Sequence, residues 1–427
     1  MSLFAELTWR NLIHQTTHPE LAEKLDREQF TVYCGFDPTA DSLHIGHMLP
    51  ILGLMRFQRA GHRPIAVVGG ATGMIGDPKK TEERALLSEE DLQRNVAGIR
   101  AQLERFLDFS EGGGAILVNN ADWFRSIGFI PFLRDIGKHF SVNQMLMRDA
   151  VKQRLESRDH GISYTEFSYV LLQAYDFLHL NRTFGCRLQI GGSDQWGNIV
   201  AGMDLTRRLE QAETFGLTFP LVEKSDGTKF GKTESGAIWL DSARTSPYKF
   251  YQFWINQADA DMPRWLRTFT FLSQVEIIAL EDELRERPDQ RSAQKRLAEV
   301  VTAMVHGDQA LENAIRASQA MFGGSLAGLD DATLEDIFSE MPSSELPCNT
   351  LNEEKLLTEV LVECGVLKSK GEARRLIQSG GLYLNNERIT ADDAKLTESA
   401  LASTSICVIR TGKKNYHLLR FVASPQQ

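Results

Sequence analysis

Long apolar runs are missing from this chain. No stretch comes near the roughly 18 consecutive apolar residues of a membrane-spanning helix, so no span is expected. The opening, Met1-Ser2-Leu3-Phe4-Ala5-Glu6, lacks the basic start and apolar core of a secretory signal. Cysteine is scarce: five in 427 residues (Cys34, Cys186, Cys348, Cys364, Cys407), odd in number and with no Cys-x-x-Cys pair. Neither a zinc site nor a disulfide framework is indicated, and a reducing, cytoplasmic setting is expected. Net positive charge is also missing. The formal charge of −10 excludes a protein coated in basic surface, but not nucleic-acid binding through a local patch. There is no internal repeat and no low-complexity tract.

What is present is ordinary globular composition, 42% hydrophobic and 24% charged, on a chain long enough for several domains of roughly 100–200 residues. Phe30-Thr31-Val32-Tyr33-Cys34 reads as a strand, and Leu43 to Ala60 as a helix closed by Gly61, with a bend expected at Pro50. Ile65-Ala66-Val67-Val68, Ala115-Ile116-Leu117-Val118 and Arg187-Leu188-Gln189-Ile190 are short apolar runs of the kind found in buried parallel strands. Strands alternating with helices predict an α/β fold with a parallel sheet. Ligands of such sheets sit beyond the carboxyl ends of the strands. The turns at 37–42, 69–77 and 191–197 should therefore meet at one cleft. After Pro247 the chain turns mostly helical to about Gly323. The stretch 324–350 reads as linker, and residues from 351 as a small separate module. That module is locally basic: Lys368, Lys370, Arg374, Arg375 and Arg388 face only Glu372 and Glu387 between 365 and 390, and from 402 onward there are Arg410, Lys413, Lys414 and Arg420 with no acid.

Two strings carry the chemistry. Pro38-Thr39-Ala40-Asp41-Ser42-Leu43-His44-Ile45-Gly46-His47 places two imidazoles three residues apart at a helix start. Free N–H groups and the dipole favour anions there. Lys229-Phe230-Gly231-Lys232-Thr233 follows a turn and sets two ammonium groups around a glycine. Each string alone is common surface sequence. Together they fit an enzyme that grips a nucleoside triphosphate from two sides. Tyr169, Gln173 and Asp176 fall on one stripe of a helix over 164–180, the wall of a pocket for a small polar ligand. Asp194, after a strand and two glycines, is placed to accept from ribose hydroxyls, with Gln195 beside it. Asp77 closes the 69–76 turn and could face an amine. No Gly-Lys-Ser/Thr follows that turn, so a Walker-type phosphate loop fails.

Pro38–His47 resembles the HIGH motif of class I aminoacyl-tRNA synthetases, and Lys229–Thr233 the second motif of that class in its KFGKT form. With Tyr33–His44, Ile190–Asn198 and Asp226–Thr233, nearly the whole chain resembles the bacterial tyrosyl-tRNA synthetase family. Residues from 351, including Ser369–Ile377 and Gly381–Asn385, are similar to an S4 RNA-binding module. The resemblance implies a Rossmann-like catalytic domain over 1–225 with an inserted connective and dimerisation segment, a mobile loop and linker over 226–246, an anticodon-recognising helical domain over 247–323, and an S4-like domain over 351–427. It implies that Tyr33 and Asp176 bind the substrate phenol, Asp77, Tyr169 and Gln173 its ammonium group, and that Gln195 lies near the reacting carboxylate. Cys34, Gly35 and Asp194 match ribose contacts. Asp37, Thr39, His44, Gly46 and His47 line the ATP site, and Lys229 and Lys232 are its mobile cations. Lys80 and Arg84 match a second basic loop less securely in spacing. Lys368, Lys370, Arg374, Arg375, Lys413 and Lys414 are the expected RNA contacts.

The implied reaction is attack of the tyrosine carboxylate on the α-phosphorus of ATP with loss of pyrophosphate, then transfer of tyrosine to the terminal ribose of tRNA. Magnesium is expected with ATP, with no acidic cluster marking a dedicated site. A homodimer is implied. Rejection of phenylalanine rests on the buried carboxylate and phenol it would leave unpaired. Three rivals share part of the pattern. Tyr33 with Asp176, and the S4-like module, disfavour a tryptophanyl enzyme. The basic C-terminal module disfavours a small-product nucleotidyltransferase. Intact His44, His47, Lys229 and Lys232 disfavour an RNA-binding factor on an inactive scaffold.

Overall fold

The computed structural model describes the chain except residues 79–86, 112–113, 157–160, 226, 229, 234–235, 413–414 and 424–427; at 149–150 and 232–233 it describes the backbone alone. The expected basic residues Lys80, Arg84, Lys229, Lys413 and Lys414 thus lie outside the described residues, as does the side chain of Lys232. The chain divides into two compact units, one of Met1–Asp241 with Ala258–Ala293, the other of Ser242–Gln257 with Gln294–Gln427. The helical stretch read as one piece over 247–323 is therefore shared between them.

The first unit is built on a six-stranded sheet: β1 (Gln15–Thr16), β2 (Thr31–Phe36), β3 (Arg63–Val68), β4 (Ile116–Asn119), β5 (Cys186–Gly192) and β6 (Phe215–Phe219), in the order β1-β6-β5-β2-β3-β4. All neighbours are parallel except β1, which runs antiparallel to β6. The apolar runs at 65–68 and 187–190 lie in β3 and β5, buried because helices cover parallel sheets on both faces. From β2 the chain builds outward through β3 and β4, then returns to the other side of β2 with β5 and β6. The order reverses between β2 and β5, the place where α/β sheets open a crevice.

The helix after the first motif starts later than its sequence predicts. Residues Ile45–His47 form a 3-10 turn, and the α-helix runs Met48–Arg59. Pro50 therefore lies in the first α-helical turn, where proline is tolerated, and the expected bend has no cause. The helix carrying the polar stripe runs Tyr164–Phe184, with the Ser163 side chain accepting from the Glu166 N–H at its start. A short antiparallel pair, β7 (Lys232–Thr233) and β8 (Gly236–Ala237), follows the second motif.

The second unit has its own five-stranded sheet: β9 (Ser343–Pro347), β10 (Leu382–Leu384), β11 (Glu387–Arg388), β12 (Ile406–Thr411) and β13 (Asn415–Val422), ordered β11-β10-β12-β13-β9. The stretch 324–350 is more than linker. It holds a helix at Asp331–Ile337, and β9 pairs parallel to β13, so this sheet begins before 351. Helix Lys370–Ser379, capped by Ser369, packs its apolar side with Leu357, Val360, Leu361 and Leu382. Among the described residues no helix is long and apolar enough to cross a membrane.

Candidate active site

A cavity of about 630 Å³ opens at the switch between β2 and β5, a size typical of small-molecule sites. Its walls include Tyr33, Cys34, Gly35, Asp37, Thr39, His44, Gly46 and His47 from β2 and the turn after it. Asp77 comes from the 69–77 turn, Tyr169, Gln173 and Asp176 from the long helix, and Asp194 and Gln195 from the turn after β5. Every residue expected in the catalytic part whose side chain is described thus meets at one cavity.

The deep end is polar and buried. Asp176, 3% exposed, accepts from the Trp123 indole N–H at 2.9 Å and from the Asn120 amide at 3.1 Å. Burial pushes its carboxyl up to about 8, against the opposing pull of those two donors. The neighbouring Tyr33 phenol is 1% exposed, and its hydroxyl has no hydrogen-bond partner among the described residues. Burial first, and the Asp176 charge second, hold that phenol well above its ordinary range, so it is a neutral donor. The Tyr169 hydroxyl donates to Asp37 Oδ2 at 2.9 Å, and the Thr72 hydroxyl donates to Asp37 Oδ1 at 2.7 Å. The Tyr169 phenol is also raised, by burial and then by Asp37.

A second network borders this end. Gln195 Nε2 donates to Asp77 Oδ2 at 3.0 Å and to Asp194 Oδ2 at 2.9 Å. Its Oε1 accepts from Asn198 at 2.9 Å and from Gln173 at 3.3 Å. Arg148 in turn donates to Asn198 Oδ1, and its charge pulls against the burial that raises the Asp77 carboxyl. Asp77 therefore sits half-buried with amide donors on one side and a guanidinium nearby. Gln173 Oε1 and Gln189 Oε1, both at the cavity wall, are buried without partners among the described residues. Unpaired buried acceptors such as these are costly unless a ligand meets them.

At the outer end, the two imidazoles pack together with ring centroids 4.0 Å apart. His44 Nδ1 accepts the Gly46 N–H at 3.0 Å, and His47 Nδ1 accepts the His44 N–H at 3.1 Å. Each neutral ring must then carry its proton on Nε2, which makes it a donor. Gly46 is required for this packing, because a Cβ there would stand 2.7 Å from His44 Cε1. Above Gly35 a Cβ would meet nothing within 4 Å, leaving open space over β2. Cys34 is buried, and burial pushes its thiol up to about 12, so it is not a thiolate nucleophile. Among the described residues no group of three or more His, Cys, Asp or Glu is arranged to hold a metal ion.

In the second unit Lys368, Lys370, Arg374 and Arg375 are exposed on or beside helix Lys370–Ser379. Lys370 pairs with Glu359 at 2.6 Å, and Arg374 with Asp392 at 3.8 Å. Sequence reasoning missed Thr72, Asn120, Trp123, Arg148, Gln189 and Asn198 at the first-unit site. Asn120 directly follows β4, so the rule that drew attention to the other strand ends would have found it. Arg148 carries no such signal.

Residues 25–323 match the family model of class I tRNA synthetases (W and Y), and residues 333–419 match that of the tyrosine–tRNA ligase SYY-like C-terminal domain. A tyrosine–tRNA ligase of Geobacillus stearothermophilus is 55% identical over 430 residues, covering 99% of this chain and 100% of that one. One from Roseiflexus castenholzii is 53% identical over 424 residues, with the same shares covered. Among solved structures, a C-terminally truncated mitochondrial tyrosyl-tRNA synthetase of Aspergillus nidulans aligns with a TM-score of 0.67 at 32% identity, over 74% of this chain and 94% of that one. A tryptophanyl-tRNA synthetase of Encephalitozoon cuniculi shares the fold, with a TM-score of 0.55 at 14% identity over 72% and 87% of the two chains. By full-length identity and by both family models, the chain belongs to the tyrosine–tRNA ligases of the class I tRNA synthetases.

Proposed function

We infer that this chain ligates tyrosine to tRNA, first activating the amino acid with ATP. The observation that carries the choice of amino acid is the deep end: a buried carboxylate, Asp176, beside a buried phenol, Tyr33, whose hydroxyl lacks a partner among the described residues. A substrate phenol entering there can donate to Asp176 and accept from Tyr33, and phenylalanine would leave both groups unmatched. At the other end of the substrate, Asp77, Tyr169 and Gln173 receive the ammonium group. The carboxylate is left facing Gln195 and the outer cavity.

ATP lies across Gly35 with its ribose toward Asp194 and its phosphates toward Thr39, His44 and His47. The tyrosine carboxylate attacks the α-phosphorus in line, the bond to the bridging oxygen breaks, and pyrophosphate leaves. No protein nucleophile is needed. The chain's part is positioning and charge stabilisation. Nε2–H donors of His44 and His47, with the ammonium groups of Lys229 and Lys232, stabilise the charge that grows on the departing phosphates. Magnesium enters with ATP as part of the substrate. Of the nearby carboxylates, Asp37 is engaged by Tyr169 and Thr72, and Asp194 by Gln195.

The second unit's exposed basic residues Lys368, Lys370, Arg374 and Arg375 contact the tRNA, with Lys413 and Lys414 as further expected contacts, and the helices within 247–323 read its anticodon end. A homodimer is supported by strongly exposed apolar residues between 129 and 147: Phe129 at 64%, Ile130 at 69%, Val142 at 58% and Met147 at 77%. Amino-acid-dependent ATP–pyrophosphate exchange across all twenty amino acids tests the function. Exchange with tyrosine alone is expected; exchange with none, or best with tryptophan, would overturn it.

A further inference from the structure

Phe230, between the two lysines of the second motif, is a buried anchor, only 8% exposed. Its ring lies nearly parallel to Phe269, at 18° and 5.1 Å between centroids, and tilted against Trp265 at 4.6 Å. Both partners belong to helix Met262–Phe269. A ring stacked on one aromatic and tilted on another fixes its backbone far better than a polar loop can fix itself. Gly231 follows with φ +83°, and a Cβ there would meet Ile45 Cγ1 at 2.8 Å. The chain then runs back along the first motif. The Ile238 N–H donates to Gly231 O at 3.2 Å, the Ile45 N–H to Ile238 O at 3.0 Å, and the Leu240 N–H to Leu43 O at 2.8 Å.

The helix that seats Phe230 is itself tied to the first motif. Arg56, on the helix that continues from His47, donates to the Thr268 and Thr270 carbonyls at 3.2 and 2.9 Å. Arg10 adds donors to the Thr270 and Leu272 carbonyls at 3.2 and 2.6 Å. The Thr268 and Thr270 carbonyls end helix Met262–Phe269, where cations suit the helix dipole. A closed circuit results: the His44–His47 turn, helix Met48–Arg59, Arg56, helix Met262–Phe269, Phe230, and back to Ile45.

We propose that Phe230 is a positioning residue for tyrosine activation: its seat on Trp265 and Phe269 fixes where Lys229 and Lys232 leave the frame that holds His44 and His47. This rests on the reading of those lysines as the groups that meet the departing pyrophosphate. Displacing such groups by about 1 Å costs on the order of 10²-fold in rate.

The test is single-turnover formation of tyrosyl-adenylate by the full chain, normalised to titrated active sites, with tyrosine affinity measured separately. Phe230→Ala is expected to lower the rate constant by about 10²-fold with tyrosine affinity unchanged, and Phe230→Leu to recover most of it. In a cycle with Lys232→Ala, the double variant is expected to lose clearly less than the product of the two single losses, because both changes remove the Lys232 interaction. An unchanged rate constant for Phe230→Ala, additive losses in the cycle, or a loss confined to tyrosine affinity would each overturn the proposal. If Phe230→Ala gives no folded protein, Phe230→Val goes through the same cycle and additivity there overturns it equally. A wild-type chain without tyrosine-dependent turnover would remove the function itself, a failure distinct from these.

Discussion

The deep and outer ends of the cavity are built by different means. At the deep end Asp176 is held by Asn120 and Trp123, Asp37 by Thr72 and Tyr169, and Asp77 by Gln195 and Asn198. Those groups come from the long helix and from the segments that follow β2, β3, β4 and β5, locked by packing and by one another. At the outer end His44 and His47 are held by their own backbone in one short turn, and the backbone of Lys232 lies in the short β7–β8 pair, outside the six-stranded sheet. The contrast separates two tasks. Recognition of the amino acid uses groups fixed in advance, which spares ordering cost on binding. Catalysis uses donors that need to be strongest only as pyrophosphate departs.

The largest expected effect lies at the outer end. Lys232→Ala should slow tyrosine activation by about 10²–10³-fold, the usual cost of one transition-state donor, while tyrosine affinity stays at the wild-type value. Stopped-flow rates and equilibrium binding, measured together, check this; a matching loss of affinity would erase the division of labour. Next, Asp176→Ala should weaken tyrosine binding by roughly 10²-fold, since it leaves the Trp123 indole, the Asn120 amide and the substrate phenol short of a partner. Equilibrium dialysis reads that loss, and an unchanged affinity would move the phenol out of the deep end. A smaller effect, about 10-fold, is expected for Gly46→Ala, whose added Cβ must displace the His44 ring. It should appear in the activation rate and leave tyrosine affinity alone.

Stability against pH is a separate readout. Asp176 has its folded pKa raised from 3.8 to about 8. A raised value favours the protonated folded form, so its contribution is fully present below about pH 4 and is lost as pH rises toward 8. Asp176→Asn cannot ionise. Its melting temperature relative to wild type should therefore climb between pH 4 and pH 8 and level off above; a flat difference would contradict the burial of this carboxyl.

The sheet was legible because parallel strands buried on both faces leave uninterrupted apolar runs, as at Ile65–Val68. The stripe Tyr169, Gln173, Asp176 was legible because helical periodicity is local. Pro50 misled because the chain completes a 3-10 turn before the α-helix begins, which shifts the proline into a tolerant position. Strand β9 escaped because Ser343-Ser344-Glu345-Leu346-Pro347 has little apolar content and finds its partner only at 418–422. Arg148 escaped for a related reason. It reaches the site through tertiary packing, and nothing within a few residues of it marks that destination.

The most direct measurement is the equilibrium affinity of the wild-type chain for tyrosine and for phenylalanine, with neither ATP nor tRNA present. A preformed deep end predicts that tyrosine already binds at least roughly 10²-fold more tightly, since phenylalanine leaves buried polar groups unpaired. Equal affinities, with discrimination appearing only when ATP is added, would show that the phenol site is assembled by the nucleotide and would contradict the account.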